Sequence, residues 1–119
     1  MRRKFSENIE KRSELKKQRD ELWDENLASI KRYYERLREV GKIKEERFVR
    51  YWSVVLPPYV PDDGYVYIHV QYDIQGDGRI KNEIIKVDDI DNFLNYEHTE
   101  RRFKIADELF NDNQQRDIW

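Results

Sequence analysis

Residues 65–87 read YVYIHVQYDIQGDGRIKNEIIKV, and the fold turns on this stretch. Val66, Ile68, Val70, Tyr72 and Ile74 alternate with Tyr65, Tyr67, His69, Gln71 and Asp73, the two-residue period of a strand with one face against a core. Asp77-Gly78 is the strongest short signal for a two-residue hairpin turn. With that pair at the centre, Gly76 faces Arg79, Val70 faces Ile85 and Ile68 faces Val87, so turn and pattern predict a single register.

Upstream of the hairpin, Phe48 to Leu56 is rich in aromatic and β-branched residues and reads as another strand. Pro57-Pro58 closes it, and Pro61-Asp62-Asp63-Gly64 forms a turn. Before that, Ser6 to Val40 contains neither Pro nor Gly and is dominated by helix formers. Within this helix Trp23, Leu27, Ile30, Tyr34 and Leu37 recur along one stripe that requires burial. Extending that stripe backwards meets Arg19, Lys16 and Arg12, so the first half is expected to project from the body. Gly41 suits the left-handed position that ends a helix.

Downstream, Asp88 or Asp89 is placed to cap a short helix carrying Ile90, Phe93 and Leu94. Thr99 is placed to cap another carrying Phe103, Ala106, Leu109 and Phe110. The predicted class is α+β in one domain spanning 1–119. It comprises a charged N-terminal helix arm over 1–41, an antiparallel sheet of about three strands over 48–87, and one or two C-terminal helices over 88–111.

Composition narrows the chemistry. The 119 residues include no cysteine, which rules out a disulfide framework, a zinc ribbon and a thiolate nucleophile. Apolar runs fall far short of the roughly 20 residues of a bilayer span, and Met1-Arg2-Arg3-Lys4 leads into no apolar secretion segment. A cytoplasmic location without membrane contact is the expectation. The net charge of −2 conceals an asymmetry: residues 1–50 hold 16 Lys/Arg against 11 Asp/Glu, whereas 51–119 hold 7 against 14. A basic arm on an acidic body suits self-association, nucleic acid on the arm, or a basic partner on the body.

Catalytic and metal motifs are incomplete in this sequence. Asp73-Ile-Gln-Gly-Asp77-Gly78-Arg-Ile80 overlays the start of a calcium loop, but Ile84 stands where the bidentate carboxylate belongs. Asp73, Asp77, Glu83 and Lys86 resemble a nuclease set in type only, because the register sends Glu83 to Tyr72's face, away from Asp73. His69 and His98 have no companion at metal or dyad spacing. The serines Ser6, Ser13, Ser29 and Ser53, and Thr99, lack a nucleophile-elbow context. The expectation is therefore a protein without catalytic residues, metal ligands or cofactors.

Three surfaces remain. The basic arm offers Lys11, Arg12, Lys16, Lys17, Arg19, Arg32 and Arg36, which suit phosphates or an acidic protein. The acidic body offers Asp62, Asp63, Asp77 and Asp88, which suit a basic groove. Tyr59, Tyr65 and Tyr67 lie off the core stripe, where aromatics favour an interface unless a helix covers them. Together these imply a non-enzymatic binding or regulatory protein, of the small charged type that phages and mobile elements direct against a host complex, including nucleic-acid-processing ones. The alternatives are a nucleic-acid module using the arm, or an assembly protein, including a homodimer, joined through it.

Overall fold

The computed structural model describes residues 2–74, 78–95 and 99–117, with side chains described over 11–74, 78–95 and 99–109. Helix α1 (Arg2–Glu39) leads to strands β1 (Arg47–Val55), β2 (Tyr67–Ile74) and β3 (Ile80–Lys86), then helices α2 (Val87–Leu94) and α3 (Thr99–Asp117). The strands form one antiparallel sheet in the order β1-β2-β3. This is the α+β arrangement that the sequence pattern predicts.

Helix α1 ends as its chemistry requires. Gly41 takes φ +78°, its N–H donates to the Arg38 carbonyl, and the Lys42 N–H donates to the Leu37 carbonyl at 2.9 Å. This pair of bonds is a Schellman closure, and only a residue without Cβ enters it without strain. The predicted stripe is buried: Ile30, Tyr34 and Leu37 lie in the core, with Trp23 and Leu27 half-buried beside it.

All three helices pack on one face of the sheet. Ile30 and Tyr34 of α1, Val87 and Ile90 of α2, and Phe103 and Ala106 of α3 join Trp52, Ile68, Val70, Tyr72 and Ile85 in a single cluster. Each fully buried aliphatic side chain there contributes about 1.5–3 kcal/mol of transfer free energy. The rings add directed contacts, with Trp23 stacked on Trp52 at 4.7 Å and Phe103 meeting Trp52 edge-on at 4.9 Å.

The hairpin register differs from the prediction. Val70 faces Glu83, not Ile85, and Ile68 faces Ile85, not Val87. The offset is two residues, which keeps every side chain on its expected face, so alternation is blind to it. Among the described residues the pairing runs as far as Asp73 and Ile80. Asp77 itself lies outside the described residues. The observed register goes with the placement of Val87: it starts α2, fully buried, while its N–H still donates to the Val66 carbonyl at 2.9 Å.

The same residue corrects the helix cap. Lys86, in extended conformation and without a side-chain cap bond, precedes α2, whereas Asp88 and Asp89 fall inside its first turn. Carboxylates there still favour the positive end of the helix dipole. Thr99 opens α3 fully buried, and its hydroxyl accepts from Arg102 Nη2. His98 lies outside the described residues, as does the side chain of Phe110.

Candidate functional site

Among the described residues no helix lies over the second face of the sheet, although Tyr51, on the edge strand β1, reaches Trp23 of α1 with 5.5 Å between ring centres. Phe48, Tyr51, Ser53 and Val55 of β1 share it with Tyr67, His69, Gln71 and Asp73 of β2 and Ile80, Asn82, Ile84 and Lys86 of β3. Three of its apolar side chains stay open to solvent, Phe48 at 47%, Ile80 at 51% and Ile84 at 52%. The register is broken between Val49 and Tyr51, a β-bulge with Arg50 as the extra residue. Arg50 Nη2 reaches Asp73 Oδ2 at 2.7 Å and holds it beside the row Phe48–Asp73–Ile80. Diagonally across the next two rows, His69 Nε2 and Asn82 Oδ1 meet at 2.8 Å.

The tyrosines border this face. Tyr65 is 46% exposed with Lys86 Nζ 3.5 Å from its ring centre, a cation–π contact. Asp63 accepts from the Tyr65 N–H at 3.1 Å and from the Tyr67 hydroxyl at 2.7 Å. That hydroxyl bond holds the Asp63 carboxyl below its ordinary range and raises the Tyr67 hydroxyl above its own. Tyr59 stands 83% exposed, its N–H donating to the Leu56 carbonyl in the turn that follows β1. Asp62 is exposed nearby in the chain, whereas Asp88 belongs to α2 and accepts from Asn92 Nδ2. The acidic set is thus divided between loop and helix.

The basic set also divides. Lys11, Arg12, Lys16 and Lys17 are exposed on α1, with Arg19 half-buried and 3.8 Å from Asp20. Arg32 pairs with Glu35 and Glu39, and Arg36 pairs with Glu39, so both cations are already engaged. Arg47, on the covered face, donates to Glu83 at 2.7 Å and lies over the rings of Tyr34 and Tyr72. Burial, followed by Glu83's charge, pushes the Tyr34 hydroxyl far above its ordinary value, so it stays a donor to Glu83. Among the described residues no group of three His, Asp or Glu side chains is arranged to hold a metal ion, and no helix is long and apolar enough to cross a membrane.

Sequence reasoning placed Phe48 on a strand without assigning it to this face, and missed Ile80 and Ile84 as surface residues. A signal existed, because Ile80 and Ile84 share parity with each other and oppose Ile85. It also missed a cleft of about 280 Å³ among α1, β1 and α3, lined by residues that include Trp23, Tyr51, Trp52 and Asp107. These residues lie too far apart in sequence to form a motif.

Fold and surfaces define a two-layer α+β protein with helices on one sheet face and an apolar, hydrogen-bonding second face open to solvent. No family model, curated protein or solved structure matches the chain.

Proposed function

We propose that the chain is a non-enzymatic binding protein that docks a protein partner on the open sheet face, with Tyr59 as an anchor beside it. The observation that carries this reading is the exposure of Phe48, Ile80 and Ile84 on one side of the sheet. Phe48 and Ile80 flank Asp73 in one row and Ile84 lies two rows on, and the apolar area each exposes gains free energy when a partner covers it. A rigid, exposed tyrosine is a favoured interface anchor because it buries large area at small entropy cost.

Charge favours protein over nucleic acid. A nucleic-acid platform needs cations free to neutralise phosphates, but here Arg50 is paired with Asp73 and Lys86 sits on Tyr65. Regulation of a host complex by occupying one of its surfaces is the activity such a small docking protein can perform.

Affinity capture from the cells that naturally carry the gene, with and without nuclease, tests the proposal. A protein should be recovered in stoichiometric amount, resist nuclease, and be lost with the double variant Phe48→Asp, Ile84→Asp while circular dichroism stays native. Recovery that disappears on nuclease treatment, or that survives the double variant, overturns it.

A further inference from the structure

Strand β3 is an outer strand of the sheet, and among the described residues no other strand pairs with its far side. The backbone N–H and C=O groups along such an edge form a template for one more strand. The two outer strands differ in their readiness to take it. β1 is interrupted by the bulge at Arg50, and its Tyr51 meets Trp23 of α1, whereas β3 pairs with β2 without a break from Ile80 to Lys86. A regular edge accepts a neighbour, and a bulged one turns it away.

The residues along the regular edge read Ile80-Lys81-Asn82-Glu83-Ile84. Reversed about Asn82, the series complements itself, with isoleucine falling on isoleucine and lysine on glutamate. Ile80, Asn82 and Ile84 belong to the open face, and Lys81 and Glu83 to the face that bears the helices. Both isoleucines, Lys81 and Asn82 are exposed. The Glu83 side chain is 37% exposed, and its bonds from Tyr34 and Arg47 both end on Oε2, so Oε1 can accept from a cation beyond the edge.

We propose that β3 pairs antiparallel with β3 of a second copy of this chain, with Asn82 on the two-fold axis, so that two sheets join into one. Ile80 then lies opposite Ile84 of the second copy on the open face, and Lys81 opposite Glu83 of the second copy on the helix side. Each pair occurs twice, as an isologous contact requires. Charge selects the register. Moving the axis one residue to Lys81 sets two lysines directly opposite each other, and moving it to Glu83 does the same with two glutamates, both of which are destabilising. The occupant is a second copy because the complement of this edge is the edge itself. The inference goes beyond partner docking on the open face and is independent of it, since cross-strand neighbours touch side by side and the pairing widens that face without covering it.

The absence of cysteine from the chain gives a direct test on the full-length protein. Asn82→Cys should form a disulfide-linked dimer under mild oxidation, because directly opposed residues of antiparallel strands lie about 4.5–5.5 Å apart between Cα atoms. Ile80→Cys should not, because in the same register its two copies are displaced by four residues along the strands, about 13 Å. Tyr59→Cys, in the exposed turn after β1, measures chance collision. Sedimentation equilibrium of the unaltered chain should show reversible dimers. Lys81→Glu, an exchange at an exposed edge position, should raise the dimer dissociation constant about tenfold by turning two attractive pairs into repulsive ones, while circular dichroism stays native. A chain that stays monomeric through the high-micromolar range overturns the proposal, as does a dimer indifferent to Lys81→Glu. Crosslinking of Ile80→Cys or Tyr59→Cys as fast as Asn82→Cys overturns it too. Lys81 lies off the open face, so partner capture by the Lys81→Glu variant is a separate measurement, and either reading can fail alone.

Discussion

The two faces of the sheet are built from the same strands and differ in what lies over them. On the covered face Trp52, Ile68, Val70, Tyr72 and Ile85 are buried under three helices. On the other, Phe48, Ile80 and Ile84 are about half exposed although their side chains are as apolar. Hydrophobicity alone therefore does not locate the core; the helices do, by the stripe each presents. The open face retains apolar character without repayment in folding, which is the physical basis for reading it as an interface.

The largest expected effect comes from placing the same charge on each face. Val70→Asp introduces a carboxylate at a fully buried position beside Trp52 and should cost about 3 kcal/mol or more, abolishing the cooperative urea transition or lowering its midpoint sharply. Ile84→Asp, at a position 52% exposed on an edge strand, should change stability by no more than about 1 kcal/mol. Similar losses for the two variants would mean that the second face is covered in solution. That outcome would redirect attention to self-association.

The covered face was legible in sequence and the open one only partly so. Trp23 to Leu37 followed the helical period and Val66 to Ile74 the strand period, each of which selects a face without any knowledge of the partner. The register was not legible, because a shift of two residues preserves every face and only the turn distinguishes the options. There the observed register goes with burial of Val87 at the start of α2. The bulge at Arg50, which moves Phe48 and Tyr51 relative to β2, left no mark in the alternation. The cleft was illegible for a different reason: Trp23, Trp52 and Asp107 come from α1, β1 and α3, and Trp23 and Trp52 read simply as core.

A smaller effect of opposite sign is expected within the covered layer. Asn26 is fully buried on α1, and among the described residues neither its amide nitrogen nor its amide oxygen has a hydrogen-bond partner. A buried unsatisfied amide costs about 1–3 kcal/mol, and an apolar side chain of similar volume removes that cost. Asn26→Leu should therefore raise stability by about 1 kcal/mol or more in denaturant titrations. A loss of stability would instead show that the amide is satisfied in solution, and would place a buried water beside Asn26 among the supports of the fold.

The smallest effect on stability should come from the N-terminal arm, whose described side chains join the core only from Leu22 onward. Of residues 11–19 all but Leu15 and Arg19 are exposed, and core packing begins in earnest only at Leu22 and Trp23. Helical segments with little tertiary contact are marginal by themselves, so their removal takes little stability from the rest. Deleting residues 1–18 should leave the thermal transition cooperative and its midpoint within a few degrees, the shift expected of a change near 0.5 kcal/mol in a chain of this size. Fluorescence of the Trp23–Trp52 stack provides a second check, because that pair lies beyond the deletion and should keep its native environment. The arm's exposed Lys11, Arg12, Lys16 and Lys17 would then matter to association alone, through long-range attraction that added salt suppresses. A large stability loss would show instead that the arm is packed against α3 or a second copy of the chain. In that case the contrast between a covered and an open surface would extend from the sheet to α1.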